Sequence, residues 1–187
     1  MRVIGGTAKG FKLKAVPGTG TRPISDRVKE SLFNIIGPDI ERASFWDLFA
    51  GTGSVGIEAL SRGASYVRFV DTSNKALAVV KENLKTTRLG NSAEILKGDA
   101  LALLEERPNK AFEYIYIAPP QYQSLWIRVM ERLANQSGWL AEDGWAIVQI
   151  HPVEYESLKF GDLVEFDRRK YGSTLLVFYG SASVMTS

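Results

Sequence analysis

A glycine-rich segment at residues 47–56, reading Asp-Leu-Phe-Ala-Gly-Thr-Gly-Ser-Val-Gly, most constrains what this chain can fold into. Its three glycines have G-x-G-x-x-G spacing, follow an apolar stretch and precede a helical pattern. Glycine permits a sharp turn and lets a ligand approach the backbone with no Cβ in the way. A strand, a turn and a helix in this order are typical of a site for a nucleotide-shaped cofactor.

From residue 44 onward, strand-like and helix-like segments alternate along the chain. The predicted strands are 44–49, 66–71, 93–97, 113–117, 145–150, 163–169 and 174–179. The predicted helices include 25–37, 73–88 and 123–136. This alternation predicts an α/β fold with a mostly parallel seven-stranded sheet, in which the last strands form an antiparallel hairpin. We expect the end of the chain, 181–187, to be frayed.

The first 24 residues differ from this pattern. Phe11, Leu13 and Ala15 alternate with Lys12 and Lys14, and turn residues surround them. Such alternation is typical of a strand with one buried face. The sequence therefore predicts a β-hairpin extension over residues 1–24 and a main domain over residues 25–187.

Charge is unevenly distributed along the chain. The net charge is only +2, but residues 1–38 carry seven Lys or Arg against two acidic residues. A basic segment on a mildly acidic body favours contact with a polyanion such as nucleic acid at that end. The alternative is a solvated, lysine-rich edge.

Composition excludes several classes of protein. There is no cysteine, which excludes disulfide scaffolds, zinc–thiolate sites and cysteine nucleophiles. We expect neither a signal peptide nor a membrane span, since no stretch of about 20 apolar residues occurs. The single histidine, His151, argues against a metal site or a Ser-His-Asp triad, and we expect it to be structural or at a pocket rim. These features agree with a cytoplasmic protein.

Asp47 distinguishes between the cofactors that such a turn binds. It stands four positions before Gly51, at the end of the first predicted strand. In dinucleotide sites the positions before the glycines are usually apolar, and the helix N-terminus faces a pyrophosphate. S-adenosylmethionine has no phosphate and carries cationic sulfonium and ammonium groups, so a carboxylate favours it. An NAD-dependent dehydrogenase and a turn without a ligand remain the alternatives.

Two further carboxylates follow predicted strands. Asp71 is placed to accept hydrogen bonds from ribose hydroxyls, and Asp99 to lie near an adenine amine. For each, the alternative is capping of the helix that follows. The predicted cofactor-binding set is Asp47, Phe49, Ala50, Gly51, Thr52, Gly53, Gly56, Asp71, Thr72, Asp99 and Ala100.

The fourth predicted strand of the main domain ends in Ala118-Pro119-Pro120-Gln121-Tyr122. Two prolines stiffen a loop and remove two N–H donors, which leaves carbonyls free to accept from an exocyclic amine. Acceptors that hold both amine hydrogens would orient its lone pair towards a methyl group. Tyr122 would stack on the base. These five residues form the predicted catalytic set, and a structural proline turn is the alternative.

The chain resembles the small-subunit (16S) ribosomal RNA guanine-N2 methyltransferases nearly end to end. The matching segments are Arg2–Gly6 with Gly10, Arg22-Pro23, 26–30 (Asp-Arg-Val-Lys-Glu), 32–34, 47–53 and 56–63. The resemblance implies a Rossmann-like class I fold, S-adenosyl-L-methionine as cofactor, no metal, and a guanine of ribosomal RNA or of an assembled 30S particle as substrate for a monomeric enzyme. The predicted RNA-binding residues are Lys9, Lys12, Lys14, Arg22, Arg27 and Glu30.

One departure from that family concerns the predicted catalytic loop. Family members carry Asp or Asn, then Pro-Pro, then Phe or Tyr, whereas this chain has Ala118 and Gln121 at the outer positions. Losing one hydrogen bond to the reacting amine would cost about 2–3 kcal/mol, or roughly 30- to 150-fold in rate. Gln121 offers a replacement oxygen. The alternative is a non-catalytic RNA-binding or ribosome-assembly protein that keeps the cofactor fold.

Overall fold

The computed structural model describes residues 1–18 and 23–185. The chain divides into two compact units, Met1–Asp99 and Ala100–Ser187. Arg22, one of the predicted RNA-binding residues, lies outside the described residues.

The first unit is built on three parallel strands. Its elements are α1 (Asp26–Ile36), β1 (Ser44–Asp47), α2 (Ser54–Ser61), β2 (Tyr66–Asp71), α3 (Asn74–Thr87) and β3 (Ala93–Lys97). The strand order is β3-β2-β1, with Phe45 opposite Val67 and Phe69 opposite Ile95. β1 and the centre of β2 are buried, as expected for parallel strands covered on both faces.

The second unit contains the remaining strands. Its elements are α4 (Ala100–Glu105), β4 (Phe112–Ile117), α5 (Leu125–Asn135), β5 (Leu140–Ile150), β6 (Leu163–Tyr171), β7 (Thr174–Ser181) and α6 (Ala182–Met185). β4 and β5 are parallel, whereas β7 runs antiparallel to both β5 and β6. Trp126 and Trp139 belong to the core of this unit, since they are 0% and 2% exposed.

The predicted α/β class with a seven-stranded, mostly parallel sheet and antiparallel last strands is confirmed. The expectation of a frayed end at 181–187 is wrong for the part that the structure describes. Ser181 ends β7, and residues 182–185 form α6. The N–H of Ala182 donates to the carbonyl of Asp162 at 2.9 Å, and Met185 lies so close to Gly180 that a Cβ there would meet its Cε at 2.4 Å. These contacts order the segment.

The first 16 residues, called the N-terminal segment here, pack against the rest of the first unit. One antiparallel bridge joins Arg2 to Lys12, and the N–H of Val3 donates to the carbonyl of Phe11 at 3.0 Å. The buried members of the segment are Val3, Ala8, Leu13 and Val16. The division at residue 24 into extension and main domain stays a prediction. Across residues 1–18 and 23–185, no helix is long and apolar enough to cross a membrane.

Candidate cofactor site and substrate loop

Asp47 ends β1 and is 1% exposed. Its Oδ2 accepts the N–H of Gly56 at 3.2 Å, while its buried Oδ1 has no hydrogen-bond partner within the described part of the chain. Burial raises the pKa of this carboxyl to about 7, and the nearby Asp71 carboxylate adds to the rise. A buried, half-satisfied carboxylate is costly unless a cationic or donating group completes it. Oδ1 can therefore accept a hydrogen bond from a ligand, and a positively charged donor would favour the ionised carboxyl.

The glycine turn follows Asp47 directly. Gly51 has φ +54°, and a Cβ there would meet nothing within 4 Å, so the backbone faces open space. Gly53 has φ +76° and precedes α2 as its N-cap. Both residues need the left-handed conformation that glycine adopts at little cost. The turn can thus present its backbone to a ligand at Gly51.

Gly56 has a different role from the other two glycines. A Cβ at this position would lie 2.3 Å from the ring of Phe69 on β2. Close packing of α2 against β2 therefore requires glycine here, which matches the third glycine of nucleotide-binding turns. Its N–H reaches Asp47, so Gly56 supports the site through that carboxylate.

Asp71 ties the turn to the end of β2. Its Oδ2 accepts the N–H of Gly51 at 2.9 Å, and its Oδ1 accepts the N–H of Ser73 at 2.8 Å. The alternative that Asp71 caps α3 is wrong, because Ser73 is the N-cap and its side chain accepts the N–H of Ala76. Each carboxylate oxygen keeps a further lone pair for a ligand hydroxyl.

The other predicted cofactor residues surround this centre or follow β3. Phe49 is half-buried and Ala50 buried within the turn, and Thr52 accepts the N–H of Ser54 through its hydroxyl at 3.3 Å. Thr72 and Asp99 are exposed, and Asp99 directly precedes α4, whose first residue is Ala100. A hydrogen bond thus joins Gly51 to Asp71, and Asp47 accepts the N–H of Gly56, which follows the turn. Asp99 lies after the end of β3, the strand next to β2.

The predicted catalytic loop belongs to the second unit and follows β4. Ala118 is half-buried and Pro119 buried, whereas Pro120, Gln121 and Tyr122 are exposed. Tyr122 has φ +64° and is 67% exposed. Its N–H donates to Glu154 Oε1 at 2.7 Å, and its ring centroid lies 5.8 Å from that of His151. His151 therefore lies beside the loop, and its place at a pocket rim stays a prediction.

The predicted RNA-binding residues lie on the surface of the first unit. Lys9, Lys12, Lys14, Arg27 and Glu30 are all exposed. Lys12 and Lys14 flank buried Leu13, but Phe11 and Ala15, which the alternation also assigned to a buried face, are exposed. That prediction is wrong for both residues, because an isolated bridge at Lys12 forms here instead of a strand. Lys14 pairs with Glu82 at 3.0 Å, and such exposed pairs contribute little to stability. The lysines are therefore available to a polyanion.

Sequence reasoning missed a buried ionic cluster formed by Lys29, Glu58 and Arg62. Lys29 Nζ lies 3.5 Å from Glu58 Oε2, and both side chains are 0% exposed. Arg62 Nε lies 2.8 Å from Glu58 Oε1. Burial lowers the pKa of Lys29, although Glu58 opposes the shift. The available signal was one glutamate in the otherwise uncharged helix α2 (Ser-Val-Gly-Ile-Glu-Ala-Leu-Ser).

This ionic cluster fixes the N-terminal segment next to the glycine turn. Lys29 Nζ donates to the carbonyl of Arg2 at 2.6 Å and to Ser54 Oγ at 3.1 Å. Glu58 accepts the N–H groups of Ile4 and Gly5 at 2.9 and 2.8 Å. Ser54 is the first residue of α2, so one lysine joins the segment to the start of the helix that follows the turn.

Asn83 on α3 makes a second link of this kind and was also missed. It is 1% exposed. Its Oδ1 accepts the N–H of Lys14 at 2.8 Å, and its amide donates to the carbonyls of Lys14 and Thr52 at 3.1 and 2.9 Å. A single asparagine in a helical pattern gives no sequence signal for such a bridge. Over residues 1–18 and 23–185, no group of three His, Cys, Asp or Glu is arranged to hold a metal ion.

Known proteins similar to this chain are methyltransferases. "Putative rRNA methyltransferase YlbH" of Bacillus subtilis is 42% identical over 182 residues, which cover 96% of this chain and 98% of that protein. "Ribosomal RNA small subunit methyltransferase D" of Haemophilus influenzae is 34% identical over 80% of this chain and 78% of its own length. A solved structure, "Putative methyltransferase yhhF from Escherichia coli", has a TM-score of 0.86 with 28% identity and covers 97% of both chains.

These similarities confirm both the methyltransferase fold and the resemblance to small-subunit rRNA methyltransferases that the sequence motifs indicated. The family described as "Conserved hypothetical protein 95" matches residues 1–180. The chain therefore belongs to that family.

Proposed function

We propose that this methyltransferase transfers a methyl group from S-adenosyl-L-methionine to the exocyclic N2 amine of a guanine in small-subunit ribosomal RNA. The observation that carries the proposal is Asp47, a buried carboxylate whose Oδ1 has no hydrogen-bond partner among the described residues, beside a glycine turn in which Gly51 faces open space. The relatives named as rRNA methyltransferases support the substrate class.

The residues of the first unit fit this cofactor. Asp47 would receive its ammonium, Gly51 and the adjoining turn would pass along it, Asp71 would accept from the ribose hydroxyls, and Asp99 would lie by the adenine. When bound, S-adenosyl-L-methionine supplies an electrophilic methyl group on a cationic sulfonium. A pyrophosphate at the glycine turn would instead lie near the Asp47 carboxylate, and repulsion between like charges disfavours NAD in this site.

The residues after β4 would receive the guanine. Its amino nitrogen is a poor nucleophile because the lone pair is delocalised into the ring. The carbonyls of Ala118 and Pro119 would accept the two amine hydrogens and orient that lone pair. Gln121 and Tyr122 would shape the base pocket. The surplus proton can leave to water, so the reaction needs neither a strong general base nor a covalent intermediate.

The RNA would be held by the basic face of the first unit. Lys9, Lys12 and Lys14 would contact phosphates, together with Arg22 and Arg27, while Glu30 would line the pocket wall. With a net charge of only +2, a monomer of this chain would depend on the protein components of the 30S particle for tight binding. Ribosomal RNA as substrate places this activity in the cytoplasm.

The direct test is transfer of tritium from labelled S-adenosyl-L-methionine to small subunits from a strain that lacks the gene. Naked RNA is assayed in parallel, and nuclease digestion identifies the methylated nucleoside. We expect label in N2-methylguanosine with the wild-type chain and none with Asp47→Asn, which removes the charge that would hold the ammonium. Label in any other nucleoside contradicts the assigned acceptor atom.

A second candidate function rests on Ala118, which lacks the side-chain acceptor of the family. In that case the chain binds the cofactor and the ribosomal particle without turnover and acts in assembly. Calorimetry that shows cofactor binding, together with no label in any RNA tested, would favour this candidate over methyl transfer.

A further inference from the structure

One carboxylate joins the loops that follow β4 and β5 in the second unit. Glu154 ends the short 3₁₀ turn Pro152–Glu154. Its Oε1 accepts the N–H of Tyr122 at 2.7 Å, and its Oε2 accepts the N–H of His151 at 3.2 Å. Its carbonyl accepts the indole N–H of Trp126 at 3.3 Å, and Trp126 is fully buried. Glu154 is thus anchored to the core through its backbone and holds both loops through its side chain.

Tyr122 needs such a support. Its φ of +64° is uncommon for a residue with a bulky side chain, and 67% of it is exposed. Residues in this conformation persist when surrounding contacts hold them there. In the loop of residues 118–122, the hydrogen bond that the Tyr122 N–H donates to Glu154 holds the Tyr122 backbone in this conformation.

His151 is held on the same side by a second set of bonds. Its Nδ1 accepts the N–H of Val153 at 3.2 Å, so the ring orientation is defined. The Tyr122 and His151 rings lie 5.8 Å apart with their planes inclined at 42°. Two fixed aromatic rings with an open approach are suited to an unpaired nucleobase, whose flat face stacks on aromatic side chains.

We propose that Glu154 is a positioning residue, which holds Tyr122 and His151 as a two-ring stacking platform for an unpaired base of the RNA substrate. The assignment of that base to the reacting guanine rests on the proposed function. The extra residue Gln121 between Pro120 and the aromatic position moves Tyr122 one place along the chain. The bond to Glu154 fixes the backbone from which the Tyr122 ring projects.

The first test measures stacking without the reaction. The full chain is titrated with a short single-stranded RNA that carries 2-aminopurine, whose fluorescence is quenched when the base stacks. Wild type and Tyr122→Phe should quench at saturation, whereas Tyr122→Ala and Glu154→Ala should lose most of the quenching and bind about tenfold more weakly. Glu156→Ala removes an exposed carboxylate two residues away and should behave as wild type.

The second test measures methyl transfer to small subunits that lack the modification. Glu154→Ala should lower kcat about tenfold, with the cofactor Kd unchanged. Glu154→Gln keeps an acceptor for Tyr122 but turns an amide N–H₂ towards the His151 N–H, so an intermediate loss is expected. This variant also serves as the comparison if Glu154→Ala fails to fold.

The outcomes separate this proposal from the proposed function. If quenching depends on Glu154 but no methyl transfer occurs, the proposed methyl transfer is contradicted and the stacking role of Tyr122 and His151 is supported. The stacking proposal is contradicted if Glu154→Ala transfers methyl groups and still quenches fully. It is also contradicted if the wild-type chain does not quench. Neither result contradicts the proposed methyl transfer.

Discussion

At the scale of single residues, the cofactor site depends on Asp47. The sequence predicted a carboxylate at the end of β1, and that placement follows from the apolar residues before it and the glycines after it. Its pKa of about 7 could not be predicted. That shift comes from complete burial and from the nearby Asp71, which depend on how α2 and β2 pack around the strand end.

The raised pKa gives a pH dependence to cofactor binding. A cationic ligand prefers the ionised carboxylate and lowers its pKa, so affinity is full above the free-protein pKa of about 7 and is lost as pH falls through it. We expect the Kd for S-adenosyl-L-methionine to rise about eightfold from pH 7.5 to pH 6. Calorimetry checks this. Asp47→Asn should bind weakly at both pH values, Asp39→Asn should follow wild type, and a flat wild-type profile would contradict the role of Asp47.

Ala118 gives a prediction in the opposite direction, a gain of activity. Ala118→Asn restores the side-chain acceptor of the family and should raise kcat for methyl transfer about 30- to 150-fold with little change in KM. Steady-state kinetics on small subunits measures this, with Ala111→Asn before β4 as the matched control. No gain from Ala118→Asn, together with a large loss from Gln121→Ala, would show that Gln121 already supplies the oxygen.

At the scale of elements, sequence patterns located most helices and strands but not the polar groups that join them. β2 and β3 have the predicted bounds, because the turn residues that flank them mark both ends. β5 begins at Leu140 rather than at 145, since the exposed Glu142 and Asp143 interrupt the apolar pattern in the first half of the strand. The contacts of Lys29, Glu58 and Asn83 connect residues distant in sequence, so no local pattern reports them.

Lys29 tests how firmly this ionic cluster holds the first unit together. Lys29→Ala leaves buried Glu58 with less compensating charge and frees the carbonyl of Arg2. We expect the free energy of unfolding to fall by about 3–5 kcal/mol in urea denaturation. Arg27→Ala, an exposed position on the same helix, should change it by less than about 0.5 kcal/mol. Equal effects of the two substitutions would be inconsistent with a structural role for the cluster.

At the scale of the whole molecule, the uneven charge is the property most relevant to RNA. The sequence predicted a basic end, and Lys9, Lys12 and Lys14 are exposed there beside buried Ala8 and Leu13. It could not reveal that the same segment is tied to the glycine turn through Lys29 and Asn83. The proposed RNA contacts of the lysines and the proposed cofactor turn therefore belong to one connected part of the first unit.

The basic N-terminal segment predicts how binding to small subunits depends on salt concentration. Replacing Lys9, Lys12 and Lys14 by Gln should weaken binding to small subunits and reduce the slope of log K against log salt by about 2. Filter binding at several salt concentrations measures the slope. The control replaces the three exposed lysines of α3, Lys75, Lys81 and Lys85, by Gln. If both triple variants lose the same slope, contact is not concentrated on the N-terminal segment.

The central claim is that this chain methylates N2 of a guanine in small-subunit ribosomal RNA. A deletion and complementation experiment in cells tests it most directly. Small-subunit RNA from a strain lacking the gene is digested and its nucleosides are quantified by mass spectrometry, with and without the gene on a plasmid. The account predicts that one N2-methylguanosine per small subunit is lost on deletion, restored by the wild-type gene and not restored by Asp47→Asn. An unchanged N2-methylguanosine content in the deletion strain would contradict it.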